Sequence, residues 1–341
     1  MEVASYSGSD VQMIGGVAVA SRAFLAPMSG VTDIVMRRIA ARYGAGLVVS
    51  EMVASDEFVR GSEEARIRAE GAGVFPHVVQ LAGCDPHWLG EAARLAEANG
   101  AQIVDINMGC PAKKVTGGWA GSALMRDLDH AMRLIEAAVT AVSVPVTVKM
   151  RLGWDDSSRN APELARRAVA AGVAMIAVHG RTRQQFYKGV ADWQAIRAVR
   201  DAVDEFPLVA NGDIHDVADA RACLAQSGAD FVMVGRSALG RPWIVGEIGA
   251  ELAGRTPQRL GLAQKHDVAR EHYEGLLSLL GQDHGVRHAR KHLAAYADEA
   301  IASGCDGEPD VRRALLTTDD PRRALTALGD LFSTERSRKA A

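Results

Sequence analysis

Short β-branched apolar runs recur through the first three-quarters of the chain: Phe24–Met28, Leu47–Glu51, Val78–Ala82, Ile103–Met108, Val146–Met150, Met175–His179, Leu208–Asn211 and Phe231–Gly235. Amphipathic stretches of helical period separate them, among them Pro86–Asn99, Asp129–Val142, Pro162–Ala171, Trp193–Val203 and Val217–Ser227. Several of these stop at a glycine (Gly100, Gly172, Gly228), the residue that best ends a helix. Short runs dominated by apolar residues and alternating with helices read as buried parallel strands covered by those helices. Eight such units over roughly 220 residues predict an α/β fold, a closed (β/α)8 TIM barrel rather than an open doubly wound sheet. No Gly-x-Gly-x-x-Gly follows the first run, which weighs against a dinucleotide fold. Ahead of that run, Val11–Ala20 reads as a hairpin that plugs the barrel bottom.

After Trp243–Ala253 the period changes. Gly254-Arg255-Thr256-Pro257 reads as a linker, and beyond it only helical patterns follow: Leu262–Leu280, Val286–Ser303, Pro309–Leu316 and Pro321–Phe332. The expected organisation is therefore a barrel over residues 1–253 and a small all-helical domain over 254–341. The tail Glu335–Ala341 is expected to fray.

Composition narrows the partners. Of 341 residues, 39 are Lys or Arg and 42 are Asp or Glu, a net charge of -3. That excludes a protein that holds nucleic acid by bulk charge, though not one with a local basic patch. The uncharged run Val11–Ser21 is too short to span a bilayer and has no basic region ahead of it, so neither a membrane span nor a signal peptide is expected. The cysteines, Cys84, Cys110, Cys223 and Cys305, have no zinc-knuckle or Cys-x-x-Cys spacing. No metal is expected, and the expected compartment is the cytoplasm.

In a (β/α)8 barrel the chemistry sits at the C-terminal strand ends. Here those ends carry Ala26-Pro27-Met28, Ser50-Glu51, Gln80, Asn107-Met108-Gly109-Cys110, Lys149-Met150-Arg151, His179-Gly180-Arg181, Asn211-Gly212-Asp213 and Gly235-Arg236. Polar groups at nearly every mouth position are poorly explained by stability. Gly212, Gly235 and Arg236 suit a phosphate, though two ordinary turns would read the same way. Lys149, in an otherwise core strand, suits an anionic ring or oxyanion; the competing reading is a snorkelling surface lysine. Gln80 can line a heterocycle edge, and His179 can hold a phosphate or a carbonyl; each is equally read as a satisfied buried polar group. Cys110 lies among Lys113, Lys114, Gly117 and Gly118 and is a candidate nucleophile or proton donor. Farther on, His284, His288 and His292 recur every four residues, beside Arg287, Arg290 and Lys291. The density of cations fits a phosphate-backbone contact better than a metal site, with a solvated face as the alternative.

Taken together, these motifs resemble the tRNA-dihydrouridine synthases, and the bacterial B-type branch most. The resemblance is carried by Ala-Pro-Met-Ser-Gly-Val-Thr-Asp (26–33), Asp-Ile-Asn-Met-Gly-Cys-Pro-Ala-Lys-Lys-Val (105–115), Val-Lys-Met-Arg-Leu-Gly-Trp (148–154), Val-His-Gly-Arg-Thr-Arg (178–183), Asn-Gly-Asp-Ile (211–214), Val-Gly-Arg-Ser-Ala-Leu-Gly (234–240) and Gly-Val-Arg-His-Ala-Arg-Lys-His (285–292). It extends from about Val11 to Phe332. It implies a flavin barrel with a helical tRNA-binding domain, and FMN reduced by NADPH (or NADH) for the reduction of uridine to 5,6-dihydrouridine in tRNA. Hydride would reach C6 and a proton C5. Carried over, Ala26, Pro27, Met28, Gln80, Lys149, His179, Asn211, Gly212, Asp213, Gly235 and Arg236 would hold FMN. Cys110 would be the general acid, Asn107 and Arg181 would lie near the flipped base, and Arg287, Arg290 and Lys291 would contact tRNA. The alternatives are a flavin barrel enzyme acting on a free pyrimidine base, which has no need of the helical domain, and a non-catalytic RNA-binding protein, which has no need of Cys110 and Lys149.

Overall fold

The computed structural model describes residues 12–333, so Val11 and the tail Glu335–Ala341 lie outside it. The described chain divides into two compact units. One holds the chain up to Gly235 together with Val245–Thr256; the other holds Arg236–Ile244 and the chain from Pro257 onward. The second segment boundary falls close to the expected linker. Arg236–Ile244 groups with the helical unit, which the simple division at residue 253 did not anticipate.

In the first unit a nine-stranded sheet is parallel throughout. Its two terminal strands, Leu47–Val48 and Val53–Ala54, are consecutive pieces of one stave. The first piece pairs with Ala23–Leu25 and the second with Val78–Ala82. Between them Val49 bridges Val78, and the Ser50 N–H donates to the Val78 carbonyl at 3.1 Å. The sheet is thereby a ring of eight staves: Ala23–Leu25, the split stave 47–54, Val78–Ala82, Ile103–Met108, Val146–Arg151, Met175–His179, Leu208–Asn211 and Phe231–Val234. The (β/α)8 expectation holds, and a likeness to a known fold supports it below.

The hairpin Gln12–Ile14 with Val17–Val19 closes the bottom. Ile14 and Val19 are buried in one cluster with Phe24, Leu47, Val78, Ile103, Met175, Val209 and Phe231, drawn from around the ring. Helices cover the outside, and side-chain caps fix where they start. Asp33, Asp85, Asp127, Asp192 and Asp216 each accept backbone N–H groups of a first turn. The helix Ile34–Arg42 escaped the sequence reading because its inward face carries Arg37. That guanidinium is 1% exposed and is held by the carbonyls of Thr32, Arg68 and Glu70. Its burial lowers the pKa to about 10.

The second unit contains the helices Leu262–Leu280, Gln282–Ala302, Pro309–Thr317 and Pro321–Ser333. Its core includes Val268, Tyr273, Leu276, Val286, Leu293, Tyr296 and Leu328. The helix expected from Val286 starts four residues earlier, at Gln282. Gly285, which reads as a breaker, lies inside it, where an added Cβ would come within 2.9 Å of Leu276 O and Leu277 Cα. Close packing of two helices, not a turn, requires that glycine.

Candidate active site

The staves deliver their polar ends to one mouth, and hydrogen bonds link them into a connected floor. Asn107 ends the fourth stave. Its Oδ1 accepts the backbone N–H groups of Gly109 (3.1 Å) and Cys110 (2.9 Å), and its Nδ2 donates to Gln80 Oε1 at 2.7 Å. Gln80 Nε2 donates to Asp105 Oδ2 at 2.6 Å, and the Thr147 hydroxyl donates to Asp105 Oδ1 at 2.6 Å. Burial raises the Asp105 carboxyl above the ordinary range, against the lowering effect of those two donors. This chain of amides sets the loop that carries Cys110.

A second clamp holds the same loop. Arg151, 1% exposed, donates from Nε to Gly109 O (2.7 Å) and from one terminal nitrogen to the carbonyls of Thr182 (2.9 Å) and Phe186 (2.8 Å). Burial lowers its pKa to about 10. The Ser122 N–H and hydroxyl both donate to Cys110 O, at 3.0 and 2.9 Å. Cys110 is partly exposed, and Lys149 and Arg151 lie within electrostatic reach of it. The sequence named Arg151 at its strand end and Asp105 within a motif but gave neither a role; an arginine closing a buried strand and an aspartate inside one were the available signals.

Lys149 donates to Asn211 Oδ1 at 3.1 Å, and Asn211 Nδ2 donates to Met233 O at 2.7 Å, which ties staves five, seven and eight together. Burial, with Arg151 adding to it, lowers the Lys149 ammonium to about 8. The Ala26 N–H donates to Val234 O at 2.9 Å, so Ala26–Met28 runs beside the end of stave eight. A Cβ added at Gly235 would find only Met28 Sδ at 3.8 Å and Ala26 Cβ at 4.0 Å. No protein atom demands glycine there, and a side chain would fill the space beside Ala26 and Met28. Gly212 is different. With φ +120°, its Cβ would lie 2.7 Å from Ala191 Cβ and 2.9 Å from His179 Cδ2. Arg236 follows Gly235 and is exposed.

Two of the expected site residues are engaged within the protein. Arg181 is 1% exposed, and all five of its N–H groups are used inside the protein. Nε donates to Lys188 O (3.1 Å), one nitrogen to His179 Nε2 (3.2 Å) and Asp213 Oδ1 (3.0 Å), the other to Asp213 Oδ2 (2.5 Å) and Gly189 O (2.7 Å). It has no donor left for a base. Asp213 also accepts the Ala191 N–H at 2.8 Å, so its carboxylate bridges Arg181 and the loop at Ala191. Together they brace His179, leaving Nδ1 as the ring's donor.

In the helical unit the three expected cations do not share one free face. Arg287 and Lys291 are exposed one turn apart, whereas Arg290 binds Asp319 at 2.7 Å and points toward the Thr317 carbonyl. The histidine row also divides. His292 is 2% exposed and its ring lies 4.4 Å from that of His272, so this part of the row belongs to the core. No helix among the described residues is long and apolar enough to cross a membrane.

Comparison with known proteins gives the motifs a context. The chain is 53% identical over 313 residues to a protein of Rhizobium leguminosarum bv. phaseoli named probable tRNA-dihydrouridine synthase, covering 92% of this chain and 95% of that one. It is 54% identical to a Rhodobacter capsulatus protein of the same name (91% and 94%), and 48% identical to tRNA-dihydrouridine synthase B of Xanthomonas axonopodis pv. citri (92% and 94%). Among solved structures, a 2-naphthoyl-CoA reductase in complex with 2-naphthoyl-CoA superimposes with a TM-score of 0.56 at 15% identity. That match spans 72% of this chain and about half, 52%, of the reductase, and supports the barrel fold alone. Residues 24–335 match the dihydrouridine synthase (Dus) family, and with relatives this similar along nearly the whole length, the chain belongs to that family.

Proposed function

We propose that the chain reduces uridine in tRNA to 5,6-dihydrouridine, with FMN as its cofactor and NADPH (or NADH) as electron source. The observation that carries this reading is the doubly clamped loop, fixed by Asn107 and Arg151, that brings Cys110 to a mouth floored by Lys149, Gln80 and Asn211. The residues fit a flavin phosphate: Gly235 leaves a cradle that a Cβ would fill, and Arg236 next to it supplies a cationic fork. Ala26, Pro27 and Met28 form one wall of that cradle, and Gly212 turns the end of stave seven. When bound and reduced, the flavin supplies a hydride for uracil C6.

The chain's own residues do the rest. Lys149, as a cation, would stabilise negative charge on a bound flavin ring. Gln80 and Asn211 each keep a second amide hydrogen that can serve a heterocycle edge, and His179 would line the same edge. The Cys110 thiol holds the proton that C5 requires, and Asn107 and Arg151 keep it placed. Asn107 serves here by fixing the loop, its amide being committed on both sides. The target base must leave its stack to reach the mouth, at a cost of a few kcal/mol. The helical domain over 254–341, with Arg287 and Lys291, offsets this by gripping the tRNA backbone, while residues 1–253 form the catalytic domain. The cytoplasm, where tRNA is processed, is the corresponding compartment.

The test is dihydrouridine formation in unmodified tRNA by the parent and by Cys110→Ala. The alanine variant is expected to retain its flavin and the reduction of that flavin by NADPH. It should form dihydrouridine about 10²–10⁴-fold more slowly. Near-parent dihydrouridine formation in the variant overturns the role of Cys110; none in the parent overturns the function.

A further inference from the structure

Three consecutive mouth loops contribute successive members of one row. Trp119, from the loop after stave four, faces Arg126, whose guanidinium lies 5.3 Å from the ring centre. The same guanidinium lies 5.0 Å from the ring of Trp154, on the loop after stave five. Arg183, after stave six, continues the row at 4.7 Å from Trp154 and 4.8 Å from Phe186. The order is aromatic, cation, aromatic, cation, aromatic. The row is joined to the Cys110 loop: Arg183 reaches Thr116 Oγ1 at 3.4 Å, and an added Cβ at Gly121 would lie 2.8 Å from Cys110 O.

Its outer end is open. Trp119 is 57% exposed, unusual for the largest apolar side chain, and sits at φ +59°, a left-handed backbone that favours glycine. A cavity of about 460 Å³ is lined by Trp119, Arg126, Asp127, Leu128 and Asp129. The acids nearby are engaged. Asp127 caps a helix and Asp129 pairs with Arg167; Asp155 accepts from Ser157 and Ser158, and Asp156 pairs with Arg159. Among the described residues, no ion pair neutralises Arg126 or Arg183. Exposed Lys113, Lys114 and Lys188 lie on the same loops. The surface therefore offers flat π-faces and uncompensated positive charge in register, the combination that holds unstacked nucleotides.

We propose that this ladder is an RNA subsite, at which Trp119 stacks an unpaired base of the tRNA substrate while Arg126 and Arg183 attract the adjoining phosphates. The subsite rests on the proposed tRNA substrate and adds a contact for nucleotides outside the reacting one. It would hold open a tRNA region whose own stacking has been interrupted by extrusion of the target.

The experiment measures binding of an unmodified tRNA transcript by the full-length protein at several salt concentrations. Trp119→Ala should weaken binding about ten-fold with little change in salt slope, since a stacked base releases no counterions. Trp119→Phe should restore most of the affinity. Arg126→Ala should also weaken binding and flatten the slope of log affinity against log salt by about one unit. Binding of a blunt RNA duplex should be indifferent to Trp119→Ala. Parent affinity for tRNA in folded Trp119→Ala, or an equal loss on the duplex, overturns the subsite. Failure of the parent to bind tRNA at all overturns the functional proposal instead, and the subsite with it.

Discussion

The amide chain under the Cys110 loop has a forced polarity, and substituting Asn107 with Asp tests it. A backbone N–H can only donate, so Asn107 must turn Oδ1 to Gly109 and Cys110 and Nδ2 to Gln80. Gln80 must then turn Nε2 to Asp105. The polarity ends harmlessly at Thr147, whose hydroxyl can donate or accept. Asn107→Asp keeps the shape and the bonds to the loop, but places a carboxylate oxygen against Gln80 Oε1. Rotating Gln80 moves the conflict to Asp105. One acceptor–acceptor contact persists while both carboxyls are charged, at a cost of about 1–3 kcal/mol. With a urea slope near 3 kcal/mol/M, the unfolding midpoint should fall by about 0.3–1 M. The loss should shrink on acidification, because burial already raises Asp105 and a proton on it turns the conflict into a hydrogen bond. Asp105→Asn is the control. Its amide can accept from Gln80 and donate to Thr147, so stability should match or exceed the parent near neutral pH. A buried carboxyl with a raised pKa binds more protons folded than unfolded, so parent stability falls as pH rises through that window, and the asparagine removes the fall. Urea titrations at about pH 5 and about pH 8 decide. If Asn107→Asp unfolds with the parent, or Asp105→Asn loses as much as Asn107→Asp, the polarity is wrong.

Other outcomes follow from the same geometry. Lys149 is a cation only below about 8, so NADPH-driven flavin reduction should decline as pH passes that point, and Lys149→Met should abolish this inflection; a parent profile flat through it refutes the role. The depressed pKa also means that Lys149 costs stability below about 8, and that this cost fades toward 10.5, readable as a rising midpoint in alkaline urea titrations. Arg181→Met should cost about 3–5 kcal/mol by removing the guanidinium paired with Asp213, and a midpoint unchanged from the parent would refute its bracing role. Alanine at both Arg287 and Lys291 should flatten the salt slope of tRNA binding by up to ~2 units, with flavin content unaffected; an unchanged slope makes this a solvated face.

What the sequence disclosed depended on whether a residue's pattern matched its burial. The staves were legible because short, largely apolar β-branched runs recur at regular intervals between stretches of helical period. Strand ends were legible as chemistry because lysine, asparagine and glutamine do not ordinarily close buried strands. Arg37 hid a helix because a charged side chain buried against three carbonyls looks like surface. Arg181 and Asp213 were visible as charges, yet spacing could not show that the two pair with each other. Arg290 was counted with Arg287 and Lys291 because helical spacing places them near one another; Asp319, on a different segment, claims it. The row through Trp119, Arg126, Trp154 and Arg183 joins residues far apart in sequence, so only folding brings them together.

The plug at the barrel bottom sets a timetable for synthesis. Ile14 leaves the ribosome long before several of its burial partners, which include Met175, Val209 and Phe231. At 5–20 residues per second, about 10–40 s pass between the emergence of Ile14 and that of Phe231. Throughout that interval the hairpin has no finished floor to sit in, and its valines and isoleucine are available to anything nearby. The hairpin is thus made long before the floor that receives it, a natural point of engagement for chaperones.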